Sequence, residues 1–234
     1  MKVASLLLSS LAAVALPAHS GSLARLTDAF PELNAPPQGE AQWVARSMRL
    51  NGLPMTVKAF HSRLTPDAVM HHYESWGRAT GGAQLRRSMS APWQVLAIQL
   101  PHHYITIQAR AIRDGSEGTI AVTQPLDRAE LATRTGFPRP PTTTIVNLQQ
   151  YDDFGAESEH ISLTSARSVA IEALAFSHLL VVEGWQVVRD QRSSAGTRGH
   201  VLEAQKGAQH ALLTLMPDHG RPIATAIVIV WRKA

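Results

Sequence analysis

Cysteine is absent from this 234-residue chain. Its absence excludes disulfide bonds, thiol catalysis and thiolate metal sites, so packing has to supply the stability of the fold. Charged residues are also few, at 17%, whereas hydrophobic residues make up 44%. This balance is typical of a folded globular protein and not of a disordered chain.

Catalytic signatures are equally scarce. The chain has no G-x-S-x-G nucleophile elbow, no phosphate-binding glycine loop and no H-E-x-x-H motif. Because catalytic triads assemble from residues that are distant in sequence, a hydrolase with a dispersed site remains an alternative. The sequence therefore indicates no catalytic residue, no cofactor and no metal ligand, and it favours a protein that is not an enzyme.

The net charge is only +4, although the isoelectric point is about 9.8. The basic residues are scattered and are not interleaved with aromatic residues, which argues against nucleic acid as a partner. The modest excess favours weak contact with anionic surfaces such as lipid headgroups or cell-wall polymers.

The N-terminus has the pattern of a secretory signal peptide. Lys2 precedes an apolar run over residues 3–16, and Ala18 and Ser20 are small residues at the spacing that a signal peptidase requires. The run is too short to cross a bilayer. We therefore expect a signal peptide over residues 1–20, cleavage near Ser20, a periplasmic or secreted protein, and no transmembrane span after processing.

The rest of the chain divides by composition into four parts. Residues 21–40 contain several prolines and are predicted to be a flexible leader. Residues 41–124 form a first α+β module, residues 125–142 form a Pro-rich linker, and residues 143–234 form a second α+β module.

Local signals define the elements of the first module. Asn51 and Gly52 predict a hairpin turn, and Pro54 places it near a sheet edge or a strand start. Thr65 is a suitable N-cap for a helix that Gly77 would end. Four strands are then predicted, at Gln84–Ser88, Trp93–Gln99, Tyr104–Ile112 and Thr119–Thr123.

The second half repeats this plan. Two strands around "YDDFGAE" are followed by a helix over about residues 166–183. Four further strands are predicted, at Trp185–Arg192, His200–Gln205, His210–Met216 and Ile223–Trp231. At one constant offset Val122 falls on Val228, and the ends of the two helices align on Trp76 and Trp185. The sequence thus predicts an α+β fold of two tandem ββαββββ modules, each with one helix packed on an antiparallel sheet.

Two His-His pairs raise the question of a metal site. His71 and His72 fall on the first helix, and His102 and His103 fall in or beside a turn. Adjacent helical residues diverge too far to chelate one ion, and the second half keeps neither pair. The pairs alone therefore do not predict a metal site, although a long-range site that joins them stays open.

Two stretches that contain acidic or catalytic-looking residues are more simply interpreted as turns. "YDDFGAESEH", residues 151–160, does not have the spacing of a calcium-binding loop, and we interpret it as an acidic, solvated hairpin turn. "DHG", residues 218–220, lies between two predicted strands.

Apolar surface is in excess in the second module. Val169, Phe176 and Leu180 fall along one side of its helix, while Leu174 and Val181 fall on other sides. A helix that lies on one sheet should instead show a polar stripe. We therefore predict that these five residues include an interaction surface. The last strand, "IATAIVIVW", is apolar on both faces and is predicted to be covered on both sides.

These observations favour an exported, non-enzymatic binding or assembly factor, accessory to a machine of the cell envelope. Its partner would be an envelope protein or a second copy of the chain. The alternative is a carrier that holds a lipid or another apolar ligand between helix and sheet, and a hydrolase with a dispersed site is less favoured.

Overall fold

The computed structural model describes residues 30–125, 134–153, 156–192, 199–218 and 224–233. Over these residues the chain forms twelve antiparallel strands and two α-helices, so the fold is mostly β within the α+β class. The predicted signal peptide and the first part of the predicted leader lie outside the described residues.

The described elements follow one another in a regular order. The first seven are β1 (Gly39–Leu50), β2 (Leu53–Ser62), α1 (Pro66–Ala79), β3 (Gln84–Ser90), β4 (Trp93–Gln99), β5 (Tyr104–Ile112) and β6 (Gly115–Thr123). The next seven are β7 (Thr143–Asp153), β8 (Ala156–Ser165), α2 (Val169–Val182), β9 (Gln186–Arg192), β10 (His200–Lys206), β11 (Gln209–Pro217) and β12 (Thr225–Arg232). Two strands, a helix and four strands therefore occur twice in succession.

The chain divides by packing into two compact units. The first joins the described residues up to Gln42 to Ala59–Val122, and the second joins Trp43–Lys58 to the described residues from Thr123 onward. The tip of the first hairpin thus packs with the second unit. This division is based on packing alone and does not test whether the sequence repeats. The predicted module ranges, residues 41–124 and 143–234, therefore stay a prediction.

In the first unit the strands follow the order β3-β4-β5-β6-β2, and α1 packs on β3, β4 and β5. Its core includes Phe60, Val69, Met70, Tyr73, Leu96, Ile98, Ile105, Ile107, Ile120 and Val122. Thr65 caps α1 as predicted, since its Oγ1 accepts a hydrogen bond from the Ala68 N–H at 3.3 Å. The prediction that Gly77 ends the helix is wrong, because α1 continues to Ala79. Gly77 is buried against Leu85 and Ile98, where its lack of a side chain allows close packing.

The described part of the predicted leader packs on the first unit. Leu33 is 3% exposed and belongs to the core. The Tyr73 hydroxyl donates to the Asn34 carbonyl at 2.9 Å, and the Ser62 hydroxyl donates to the Pro37 carbonyl at 2.9 Å. The flexibility of the leader as a whole stays a prediction.

In the second unit the strands follow the order β1-β7-β8-β12-β11-β10-β9, and α2 packs on β9, β10 and β11. Its core includes Phe137, Leu148, Ile161, Leu163, Phe176, Leu180, Trp185, Leu202, Leu213, Ile227, Ile229 and Trp231. Phe137 comes from the second part of the predicted linker and lies against Trp185 and Trp231, with ring centroids 5.4 and 5.5 Å away. The Pro-rich stretch therefore contributes to the core.

The predicted equivalence of Trp76 and Trp185 is wrong. Trp76 lies inside α1, whereas Trp185 follows α2 and is 5% exposed in the core. The matching landmarks are the N-caps, Thr65 and Ser168, which precede helices of equal length, 14 residues each. Identity of residue type had suggested an alignment that the helix starts do not support.

The predicted match of Val122 with Val228 also fails. Val122 is 3% exposed and faces the core of its unit, whereas Val228 is 39% exposed and faces away from the core. Along β12, Ile227 and Ile229 are buried, but the alternate residues are half-buried or exposed. The described residues therefore cover only one face of this strand, and the prediction that both faces are covered is wrong for this part of the chain.

Candidate interaction surface

One side of α2 closes the core of the second unit. Ser168 precedes the helix as N-cap, and Gly184, with φ +81°, reverses the chain after it. Phe176 and Leu180 are both 0% exposed and pack within the cluster built around β9, β10 and β11. The spacing of four residues places these two side chains on the same side, so the sheet covers one face of α2.

The opposite side of α2 is apolar and open to solvent. Leu174 is 72% exposed, Val182 66%, Val181 60% and Ile171 52%. At about 100° per residue these four side chains and His178 share one side of the helix. We call Ile171, Leu174, His178, Val181 and Val182 the α2 outer face.

The corresponding side of α1 is polar. When the N-caps are aligned, Leu174 corresponds to His71, and Val181 corresponds to Arg78. His71 and Arg78 are exposed, as the outer side of a helix on a sheet normally requires. A helix can therefore pack on the sheet without an apolar outer face. The outer face of α2 does not contribute to the core of its unit.

Charged residues flank α2 in the sequence. Arg167 precedes the helix and Glu183 follows it, and both are exposed. The remaining carboxylate of the helix, Glu172, is 0% exposed and accepts hydrogen bonds from Thr142 at 3.0 Å and from Ser165 at 2.7 Å. The α2 outer face itself thus contains no Asp, Glu, Lys or Arg.

The structure separates the five residues predicted as an interaction surface. Phe176 and Leu180 lie in the core, and Val169 is partly buried against it. Leu174 and Val181 lie on the outer face. Ile171 and Val182 were not among the five predicted residues, although strict helical periodicity from Leu174 includes both. Whether the outer face binds a partner stays a prediction.

The histidine pairs have separate surroundings. His71 is exposed, and its ring nitrogens lie 3.5 Å from carboxylate oxygens of Asp67 and Glu74. His103 is 8% exposed, and its ring lies beside that of Phe30, with centroids 5.8 Å apart. Among the residues that the structure describes, no group of three or more acidic or histidine side chains is placed to hold a metal ion.

The acidic stretch after Tyr151 is only partly a solvated turn. Its central residues, 154–155, lie outside the described part of the chain. Glu159 lies in β8 and is 2% exposed, so our interpretation of it as a solvated side chain is wrong. Its carboxylate accepts hydrogen bonds from Lys233 at 2.8 Å, Thr135 at 2.6 Å and Gln150 at 3.2 Å. A cation distant in sequence therefore compensates this buried charge.

An open pocket of about 470 Å³ lies at the C-terminal end of α2. It is lined by Gly136, Pro138, Glu183, Trp185, Lys206, Gln209 and Trp231. Lys206 Nζ donates to the Glu183 carbonyl at 2.7 Å, and Trp231 Nε1 donates to Gln209 Oε1 at 3.1 Å. The pocket is thus mixed in polarity and lies beyond the end of α2, not between the helix and the sheet.

No protein-family model, curated protein or solved structure matches the chain. None of the helices in the described part is long and apolar enough to cross a membrane.

Proposed function

We propose that this protein is an exported, non-enzymatic binding or assembly factor of the periplasm, serving a machine of the cell envelope, and that the α2 outer face is its contact surface. The observation that carries the proposal is the exposure of Leu174, Val181 and Val182, each at least 60%. Single exposed apolar residues are ordinary, but a continuous apolar helix side is typical of a docking surface.

The energetics favour a partner for this face. Fully burying a Val, Leu or Ile side chain contributes about 1.5–3 kcal/mol. Covering four side chains that are already half exposed or more would therefore contribute on the order of 4–8 kcal/mol. This gain only offsets the lower estimates of the entropic cost of association, so apolar surface buried on the partner has to supply the net affinity.

The proposal includes an internal duplication of a ββαββββ module. Ser62 and Ser165 precede the two helices by the same interval, and each hydroxyl oxygen accepts a hydrogen bond at 3.1 Å from the backbone N–H two residues later. Tyr73 and Phe176 occupy equivalent buried positions on the two helices. The two modules share a scaffold, but the outer face is polar on α1 and apolar on α2. This difference supports a binding role for the second module.

The carrier alternative has less support. The space between α2 and its strands is filled by Phe176, Leu180, Leu202 and Leu213, each 0% exposed. The pocket beside Trp185 is open and contains polar groups, whereas sites for apolar ligands are mostly apolar and enclosed. We therefore favour a protein partner over an apolar small molecule.

Site-specific photo-crosslinking in cells tests the proposed contact surface. A photoreactive amino acid at position 174 should give covalent adducts of defined mass in the periplasm, because this side chain would be buried in the contact. The matched control carries the same amino acid at position 71, which is the equivalent position on α1. Adducts of equal yield at both positions, or none at 174, would refute the proposed surface.

Export is tested separately. The mature protein should begin near Gly21, which the intact mass of protein recovered from the periplasm measures directly. Recovery of the chain in the cytoplasm with Met1 retained would contradict the proposed location.

A further inference from the structure

We infer that the pocket at the C-terminal end of α2 is a binding site for a saccharide. All the residues that line it belong to the second unit. The inference goes beyond the proposed function, because the pocket and the α2 outer face have no residue in common. It is based on the indole rings of the pocket, on its hydrogen-bonding groups and on the two charges that line it.

Two indole rings form the aromatic part of the pocket wall. Trp185 and Trp231 both line the pocket, and their ring centroids lie 6.5 Å apart in an edge-to-face arrangement. The ring of Phe137 packs against both, with centroids 5.4 and 5.5 Å away, and the two tryptophans are only 5% and 7% exposed. The core therefore holds both rings in fixed positions before a ligand binds, which lowers the entropic cost of binding.

A glycine keeps part of this wall open. A Cβ atom at Gly136 would lie 3.4 Å from Cη2 and 3.6 Å from Cζ3 of Trp231. The absence of a side chain at Gly136 therefore leaves the benzene end of this indole uncovered on that side. The edge of an aromatic ring carries partial positive charge, so it favours contact with ligand oxygens.

Hydrogen-bond donors line the same pocket. Trp231 Nε1 donates to Gln209 Oε1 at 3.1 Å, which fixes the side-chain amide and leaves its NH₂ group as a donor to a ligand. Lys206 Nζ donates to the Glu183 carbonyl at 2.7 Å. An ammonium group has three N–H donors, so Lys206 can also donate to a ligand.

Lys206 and Glu183 together favour a ligand without net charge. Both residues line the pocket, and Glu183 directly follows the C-terminal end of α2, where the helix dipole is negative. An anionic ligand would approach the Glu183 carboxylate and this end of the dipole, whereas a cationic ligand would approach the Lys206 ammonium group. A neutral polar ligand avoids both repulsions.

A saccharide satisfies these groups. Each sugar hydroxyl both donates and accepts, so hydroxyls can accept from Lys206 and Gln209 and can donate to the Glu183 carboxylate. An apolar ligand would instead leave these polar groups desolvated and without hydrogen bonds. The volume of about 470 Å³ lies in the range of small-molecule sites, and the open side of the pocket allows a longer sugar chain to extend into solvent.

Titration of the purified exported protein with maltose and with N,N′-diacetylchitobiose tests the site. Saturation-transfer NMR, which observes the ligand, detects binding and measures its strength. We expect at least one of these disaccharides to bind with a dissociation constant of about 1 mM, since an open pocket covers only part of the ligand. Benzoate and tetramethylammonium, an anion and a cation with apolar groups, should bind more weakly than that disaccharide.

Two substitutions on different parts of the wall should weaken disaccharide binding at least tenfold. Gly136→Leu places a side chain against the benzene end of Trp231 and fills part of the pocket, and Gln209→Leu removes the amide donor. Gln84→Leu, the same change at an exposed position of β3, is the matched control and should bind as the wild type does. Thermal melting shows whether each variant is folded, and if one variant does not fold, the other decides the result.

The possible outcomes are distinct. Failure of both disaccharides to bind, tighter binding of benzoate or tetramethylammonium, or equal disaccharide binding by the wild type and a folded pocket variant would overturn the inference. Binding that is lost in a folded pocket variant and kept in Gln84→Leu would support it. None of these results depends on the crosslinking at position 174, so the saccharide site and the proposed contact surface can fail independently.

Discussion

Phe176 and Leu174 lie two positions apart on α2 and have opposite surroundings, since Phe176 is 0% exposed and Leu174 is 72% exposed. Both are large apolar residues in the same helix, so sequence composition does not distinguish them. Phe176 faces the sheet and belongs to the core of the second unit, whereas Leu174 faces away from the sheet.

Truncation of these two residues should therefore have different effects on stability. Phe176→Ala should lower the free energy of unfolding by about 3–5 kcal/mol, because it leaves a cavity in a packed core. Leu174→Ala should change it by less than about 0.5 kcal/mol. Urea denaturation of monomeric protein measures both, and a large loss for Leu174→Ala would mean that this residue is buried in the chain's own core.

The buried carboxylate of Glu159 should depend on Lys233. Lys233→Met removes the cation that lies 2.8 Å from Glu159, and we expect a loss of about 3 kcal/mol, since an unpaired charge then stays buried. Glu159→Gln in the same chain should recover part of that loss, because the charge is removed as well. A double-mutant cycle measured by urea denaturation checks this, and additive effects would show that the two groups do not interact.

The same pair should affect stability at alkaline pH. Burial by itself would lower the pKa of Lys233, but the carboxylates of Glu159 and Glu157 outweigh this effect and raise the pKa above its ordinary value of 10.5. A cation with a higher pKa in the folded chain stabilises the fold fully below its unfolded pKa and loses that contribution as the pH rises through the folded value. The wild type should therefore lose stability above about pH 10.5 more steeply than the Glu159→Gln/Lys233→Met variant. Thermal melts from pH 9 to 11.5 compare the two, and parallel profiles would contradict this prediction.

Gly118 should be intolerant of any side chain. A Cβ atom at this position would lie 2.6 Å from the ring of Phe60 and would collide with the Gln108 carbonyl oxygen. Gly118→Ala should therefore cost about 1–3 kcal/mol or more, through displacement of the ring and the strand. Gly136→Ala is the control, because its Cβ would lie 3.4 Å from Trp231, and thermal melting should show little change.

Much of the fold could be predicted from local signals. Asn51 and Gly52 have φ values of +51° and +88°, as the predicted turn requires, and Pro54 lies at the start of β2. These signals act within a few residues, so they do not depend on tertiary context. The position of Leu174 away from the sheet followed from helical periodicity for the same reason.

Relationships across larger distances could not be predicted in this way. The burial of Glu159 depends on Lys233, 74 positions away, and no local pattern contains that pairing. The mismatch of Val122 and Val228 arises because a shift of one residue moves a strand's side chains to the opposite face of the sheet. Residue identity at a fixed offset contains no information about such a shift.

The assignment of Trp43–Lys58 to the second unit has a consequence for the order of folding. The end of β1 pairs with β7 through Met48 and Tyr151, so a strand made early is bonded to one made much later. Such pairing has high contact order and is slow to form, and until then the backbone edge of β7 lacks its neighbour. A fragment consisting of residues 143–234 would retain that unpaired edge permanently, so we expect it to aggregate where the whole chain folds.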